Sequence, residues 1–224
     1  FAAPFAAHCD VPLGLWRPLA TASWRVDRIL GGAADRTRAF HLQNLFWNAV
    51  AAATLCLLLA ALGVNAAVAG AAAALSAVHP ARSEAVFWIS GRSELLMTAF
   101  SLLALLAAAK APRSLKGPLT ALLACAAFAS KEQGAAVVVL AALTPGPDGA
   151  ARRSLVVWTG AALFAAFVFR GYVLGALGPS IPGTQVLPGV DGVVERLPYG
   201  LWFLGSYARL LAWPSPLLNE YDDP

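Results

Sequence analysis

The stretch LQNLFWNAVAAATLCLLLAAL, residues 42–62, decides the class of this protein. It carries no charge, and it lies within a longer interval between Arg38 and Arg82 that holds no Asp, Glu, Lys or Arg. A helix needs roughly 20 apolar residues to cross a bilayer, so the interval has room for two crossings. Gly63-Val64-Asn65 reads as a tight turn between them. The second crossing is the short Ala-rich run 66–78, and His79-Pro80 ends it, because proline drives its predecessor out of the helical region.

Working outward, residues 84–109 read as a third span with its charges confined to the first third. Two shorter apolar stretches, 117–130 and 133–144, flank Lys131-Glu132-Gln133. Residues 154–177 form another span, 178–198 a Pro/Gly-rich loop, and 199–213 a last apolar helix ending at Trp213-Pro214. Upstream, residues 1–41 mix aromatics, prolines and arginines, as an amphipathic segment at a membrane surface does. Only closed hydrogen-bonding structures survive in lipid, so the expected fold is an all-α polytopic transmembrane bundle. The expected organisation is an extracytoplasmic segment 1–41 and one membrane domain 42–224.

Composition agrees. The 224 residues are 59% hydrophobic and only 12% charged, where a soluble domain carries about a quarter charged residues. That excludes a soluble globule, a disordered chain and a collagen. The net charge of +4 comes from cations scattered among apolar segments, so they read as topology signals and site residues rather than a nucleic-acid surface. Cys56 and Cys125 lie in apolar runs as small hydrophobes. None of the cysteines, Cys9 included, has metal-ligand spacing, so no metal site is expected. The chain opens on Phe1 and is expected to be a fragment of a longer protein.

Lys110, Arg113 and Lys116 crowd one inter-helical loop, and Arg152 and Arg153 another. The positive-inside rule makes that side cytoplasmic. Residues 1–41, the turn at 79–84 and Lys131-Glu132 then fall on the opposite, periplasmic or ER-luminal side. Polar residues distant in sequence thus converge on one face, which is how a site between helices is built.

On a continuous helix from residue 84, Glu84, Trp88 and Arg92 share a face, with Arg92 about 12 Å below Glu84. An arginine at that depth needs a partner or a solvated cavity. Either it pairs with Glu94 or Glu84, or it lines a cavity and grips an anionic lipid phosphate with its planar fork. Lys131 is a second phosphate cation, or half of a solvated hairpin pair with Glu132. Arg17 contacts donor or acceptor, or snorkels to the interface. His41 and Asn44, at i and i+3, suit a helix cap or a pocket wall. The acids of Tyr221-Asp222-Asp223 have nothing to position them.

These residues carry a resemblance. Arg17-Pro18-Leu19, Gly31-Gly32 and His41-Leu42-Gln43-Asn44 are similar in order and spacing to a pattern of the O-mannosyltransferases that join transmembrane helices to TPR repeats. His79-Pro80-Ala81-Arg82-Ser83-Glu84-Ala85-Val86, followed by Trp88-Ile89-Ser90-Gly91-Arg92-Ser93-Glu94-Leu95-Leu96, resembles that family's longest signature. Ser130-Lys131-Glu132-Gln133-Gly134 and the run from Tyr207 through Pro214, Pro216 and Tyr221 resemble two more.

The resemblance implies a GT-C-like membrane core and an enzyme, a glycosyltransferase. Its donor would be dolichyl- or polyprenyl-phosphate mannose, and its acceptor a protein Ser/Thr. It would act on the non-cytoplasmic face of a multi-pass protein of the ER or bacterial inner membrane. Arg92 and Lys131 would bind the donor phosphate. Arg17, His41, His79, Arg82, Glu84, Glu94 and Glu132 would shape the pocket. The catalytic base is expected upstream of Phe1, and the TPR repeats beyond Pro224. The alternative from another class is a non-catalytic polytopic lipid-binding or transport protein. A transporter calls for inverted repeats, and none stands out.

Overall fold

The computed structural model describes residues 16–31, 36–144, 149–175 and 193–215. They form α1 (Pro18–Leu30), α2 (Arg36–Ala61), α3 (Ala66–Val78), α4 (Ser83–Phe87), α5 (Arg92–Lys110), α6 (Arg113–Ser130), α7 (Val137–Leu143), α8 (Gly149–Leu174) and α9 (Val193–Ala212). Among the described residues there is no strand, so the fold is all-α. Among the described residues three helices are long and apolar enough to cross a membrane: Thr37–Ala61, Ile89–Lys110 and Ala151–Leu174. Cys9, residues 178–192, and Asp222 and Asp223 lie outside the described residues.

Local chemistry sets the helix ends. Pro18 opens α1, where a missing N–H costs nothing. Gly63, at φ +88°, closes the turn between α2 and α3, and the Asn65 side chain caps α3 by accepting from the Ala67 N–H at 2.9 Å. His79 is extended before Pro80 and ends α3, as the sequence leads one to expect. Lys131 is extended and separates α6 from a 3-10 turn, Glu132–Ala136, that leads into α7.

Besides the start of α6 at Arg113 rather than 117, which makes Arg113 and Lys116 helical, and of α7 at Val137 rather than 133, four boundaries differ from the sequence reading. The span expected over 84–109 is broken: α4 stops at Phe87, Trp88 is extended, and a 3-10 turn, Ile89–Gly91, precedes α5. The cause is tertiary. Asn44 on α2 donates its amide hydrogens to the Val86 and Trp88 carbonyls, at 3.0 and 2.9 Å. The break also folds Gly91 so tightly against Ala85 that a Cβ there would collide with backbone. The second boundary is the start of α2, at Arg36, before the expected edge at residue 42. The third is α8, which takes in Arg152 and Arg153 rather than leaving them in a loop. The fourth is α9, which begins at Val193, inside the stretch read as loop, with Pro198 within the helix.

The core is built on alanine. Ala99, Ala104, Ala107 and Ala108 of α5, and Ala121, Ala124 and Ala127 of α6, are buried. Small residues let helix backbones approach closely, which substitutes for a hydrophobic drive that lipid does not supply. Trp16 inserts between α6 and α8, its ring centroid 6.3 Å from Phe128 and 5.9 Å from Phe169. Several buried hydroxyls turn back on their own helices: Thr54 donates to the Val50 carbonyl at 2.7 Å and Thr159 to that of Leu155 at 2.8 Å. That satisfies them without a partner across the bundle. Large apolar side chains such as Leu45, Phe46, Leu57, Phe164 and Tyr172 face outward, as a lipid-facing surface requires.

α5 and α6 run antiparallel through Ala111-Pro112. The start of α5, the end of α6, the end of α3 and the start of α2 therefore meet at one end of the bundle. Lys110, Arg113 and Lys116 gather at the other.

Candidate functional site

The first element of the site is a buried clamp. Arg92, the first residue of α5, is 0% exposed, and its Nη2 lies 2.8 Å from Oδ2 of Asp27 on α1, also 0% exposed. Its Nη2 donates to the Phe40 carbonyl at 2.7 Å, its Nη1 to Gln43 Oε1 and Ser23 Oγ at 3.3 Å, and its Nε to Asn44 Oδ1. Asn44 in turn holds the Val86 and Trp88 carbonyls. One guanidinium thus joins α1, α2 and α5 and, through Asn44, sets the α4–α5 break.

This corrects the expectation for Arg92. It is neither paired with Glu94 or Glu84 nor in the wall of the cavity described next. Helix geometry is the reason: the break at Trp88 takes Arg92 off the face it would have shared with Glu84. Asn44 is no cap either, since it lies more than two turns into α2.

The second element is a cavity of about 630 Å³ at this end of the bundle, within the roughly 300–1,000 Å³ of ligand pockets. Arg17, Arg82, Glu84, Glu94 and Lys131 line it, together with Trp88 and Tyr207. The helix ends bring them together: Arg17 precedes α1, Arg82 and Glu84 flank the start of α4, Glu94 lies in the first turn of α5, and Lys131 follows α6. Lys131 forms an ion pair with Glu94, and Arg17 Nη1 donates to Ser93 Oγ at 3.3 Å. Burial and the neighbouring Arg17 push the Lys131 ammonium below the ordinary lysine value, while Glu132 and Glu84 oppose the shift.

Glu132 is outside the cavity wall. Its carboxylate lies 3.6 Å from Arg170 Nη2 and 3.9 Å from Arg17 Nε. Held between two arginines, it anchors the chain next to Lys131. His79 is near but also outside the wall. Its Nδ1 accepts from the Ala81 N–H at 3.2 Å and its Nε2 lies 3.2 Å from the Leu211 carbonyl, so it caps the turn and ties it to α9.

His41 is in a second hollow, an open cleft of about 580 Å³ walled by Trp24, Arg28, Phe40, Phe87 and Trp88. Trp88 and Ser90 line both cavities. Among the described residues no group of His, Cys, Asp and Glu could hold a metal ion.

Of the residues expected in a common pocket, the structure brings together Arg17, Arg82, Glu84, Glu94 and Lys131. It sets Arg92, Glu132, His79 and His41 outside that cavity. Asp27 and Arg170 did not stand out in the sequence. Arg170 carried a signal nonetheless, a lone cation late in the apolar run 154–177, and intramembrane ionisable residues are functional by default. Asp27 had none, because an acid in an amphipathic segment ordinarily faces water.

No protein-family model matches this chain, and no solved structure does. The chain is 34% identical over 133 residues to protein O-mannosyl-transferase Tmtc1 of Drosophila melanogaster. The match covers 58% of this chain and 15% of that protein, so the chain corresponds to a small part of its relative.

Proposed function

We propose that this chain belongs to the membrane core of a GT-C-type O-glycosyltransferase, one that moves a mannosyl group from dolichyl- or polyprenyl-phosphate mannose to protein Ser/Thr. The observation that carries this reading is the cavity where Arg17, Arg82 and Lys131 face Glu84 and Glu94 at one end of a bundle of apolar helices. Cations gathered at the helix ends around one cavity can seat an anionic group such as a phosphate. The partial match to an O-mannosyltransferase supports the reaction class.

In this reading Lys131 and Arg82 face the donor phosphate. As the bond between the anomeric carbon and the phosphate oxygen breaks, negative charge grows on the leaving phosphate. Fixed cations in a desolvated pocket stabilise that charge without reorganising. Lys131 acts as a compact point charge and Arg82 as a planar fork. Arg170 and Arg17 fix Glu132 and so position Lys131. The acceptor hydroxyl attacks the anomeric carbon and gives up its proton to a carboxylate.

The family resemblance implies that the cavity end would be the non-cytoplasmic face. The multi-pass protein would reside in the ER or bacterial inner membrane. The test is sugar transfer from a polyprenyl-phosphate sugar by the full-length protein, normalised to folded protein. Lys131→Ala is expected to cost on the order of 10²-fold in rate. Full activity in both Lys131→Ala and Arg82→Ala would overturn the reading.

A further inference from the structure

The donor reading leaves two exposed aromatics of the cavity wall unused, Trp88 and Tyr207, and of the two only Trp88 also lines the neighbouring cleft. Trp88 is extended, at φ −82° and ψ 132°, between α4 and the 3-10 turn. Its backbone is held at three points. Its N–H donates to the Glu84 carbonyl at 3.0 Å, and its carbonyl accepts from the Gly91 N–H at 3.0 Å and from Asn44 Nδ2 at 2.9 Å. Asn44 is itself locked by the buried Arg92. Yet the residue is 54% exposed. A firmly held backbone thus carries a half-exposed indole. Trp88 also lines both hollows, so it forms the ridge between the charged cavity and the aromatic cleft.

We propose that Trp88 is the stacking platform for the hexose ring of the lipid-linked sugar, a role that rests on the donor-phosphate reading of Lys131 and Arg82. The anomeric carbon is one oxygen from the phosphorus, so the sugar must lie within one ring's width of the bound phosphate. Trp88 is the large aromatic of that cavity on its boundary with the cleft. The C–H face of a hexose packs on an indole, whose face is electron-rich. The hydroxyl edge of the ring needs polar partners, and Ser90, His41 and Arg28 line the cleft beyond the ridge. A tryptophan that merely anchors the protein at the membrane interface would face lipid, whereas this one walls two cavities.

The test uses the full-length protein in nanodiscs and two probes, a short-chain prenyl phosphate and its mannosyl ester. Trp88→Ala is expected to weaken the mannosyl ester about tenfold and the bare prenyl phosphate less than about twofold. Trp88→Phe should keep most of the affinity. Trp88→Leu, which keeps apolar bulk without a ring face, should behave as Trp88→Ala does. Lys131→Ala should weaken both probes. Equal weakening of both probes by Trp88→Leu would mean that the ridge holds the prenyl tail or bilayer lipid, and would overturn the proposal. So would unchanged affinity for both. Wild-type protein that binds neither probe would sink the donor-phosphate reading itself, a separate result from a wild type that binds both with Trp88 indifferent.

Discussion

Arg92 of α5 and Asp27 of α1, 65 residues apart in the chain, form a fully buried ion pair, 2.8 Å from Nη2 to Oδ2. Removing one partner of such a pair strands the other charge, at about 3–5 kcal/mol. Arg92→Ala and Asp27→Ala are each expected to lower stability by that amount in thermal unfolding of the detergent-solubilised protein. Glu94→Ala should not rescue Arg92→Ala, because Glu94 pairs with Lys131. The double replacement Arg92→Met with Asp27→Leu should recover much of the loss, since no charge is left buried. Rescue by Glu94→Ala would refute the clamp.

Gly91 and Gly134 are both packed against backbone. A Cβ at Gly91 would meet Ala85, and one at Gly134 would meet Ala127 and Phe128, so in neither case is there a flexible side chain to move aside. Overpacking of this kind costs about 1–3 kcal/mol. Gly91→Ala and Gly134→Ala should each lower the unfolding midpoint, whereas Gly70→Ala, with open space around it inside α3, should be neutral or slightly stabilising. Equal effects at the three positions would contradict the packing.

Lys131 sets a pH dependence. Its pKa is lowered, chiefly by burial and then by Arg17, so the ammonium is lost at a lower pH than an ordinary lysine's. The sign follows. Affinity for a prenyl phosphate should be full where Lys131 is charged and fall as pH rises through its depressed pKa, before an ordinary lysine would titrate. In Lys131→Arg that alkaline fall should move to higher pH, because a guanidinium keeps its proton. A pH–affinity curve identical in wild type and Lys131→Arg would remove Lys131 from phosphate binding.

In the donor-phosphate reading, Arg170 and Glu132 act through Lys131. Arg170 is 5% exposed, and its Nε has no hydrogen-bond partner. Its Nη2 lies 3.6 Å from the Glu132 carboxylate. Glu132→Gln removes the charge that holds the two arginines, so the turn beside Lys131 should loosen. The expected outcome is a rise in KM for the donor of about tenfold with a smaller change in kcat, measured beside the unfolding midpoint. A fall in kcat alone would place Glu132 in the chemistry rather than in positioning.

Much of the fold was legible before any coordinates. Charge-free runs, His79-Pro80, Gly63-Val64-Asn65 and the polar break at Lys131 are local signals. They act within one turn of helix, and α3 and the α6–α7 break fall where they point. The placement of the turn at 79–84 and of Lys131 at one end was also legible, because antiparallel helices alternate sides, yet of His79, Glu84, Arg92 and Lys131 only Glu84 and Lys131 reach the cavity wall. The break inside 84–109 has no local signal. A continuous helix over 84–109 satisfies every local rule, and only Asn44, forty residues upstream, claims the carbonyls that break it.

Sequence by itself determined the helical, lipid-compatible class, because backbone polar groups in an apolar chain must bond within their own segment. It also determined which residues carry charge near the helix ends. Tertiary structure alone decided which charges meet. Asp27 takes Arg92, Glu94 takes Lys131, and Glu132 lies between Arg17 and Arg170. An ion pair depends on distance and burial rather than on order along the chain, and the break at Trp88 rotates Arg92 out of the cavity and leaves Trp88 on its rim.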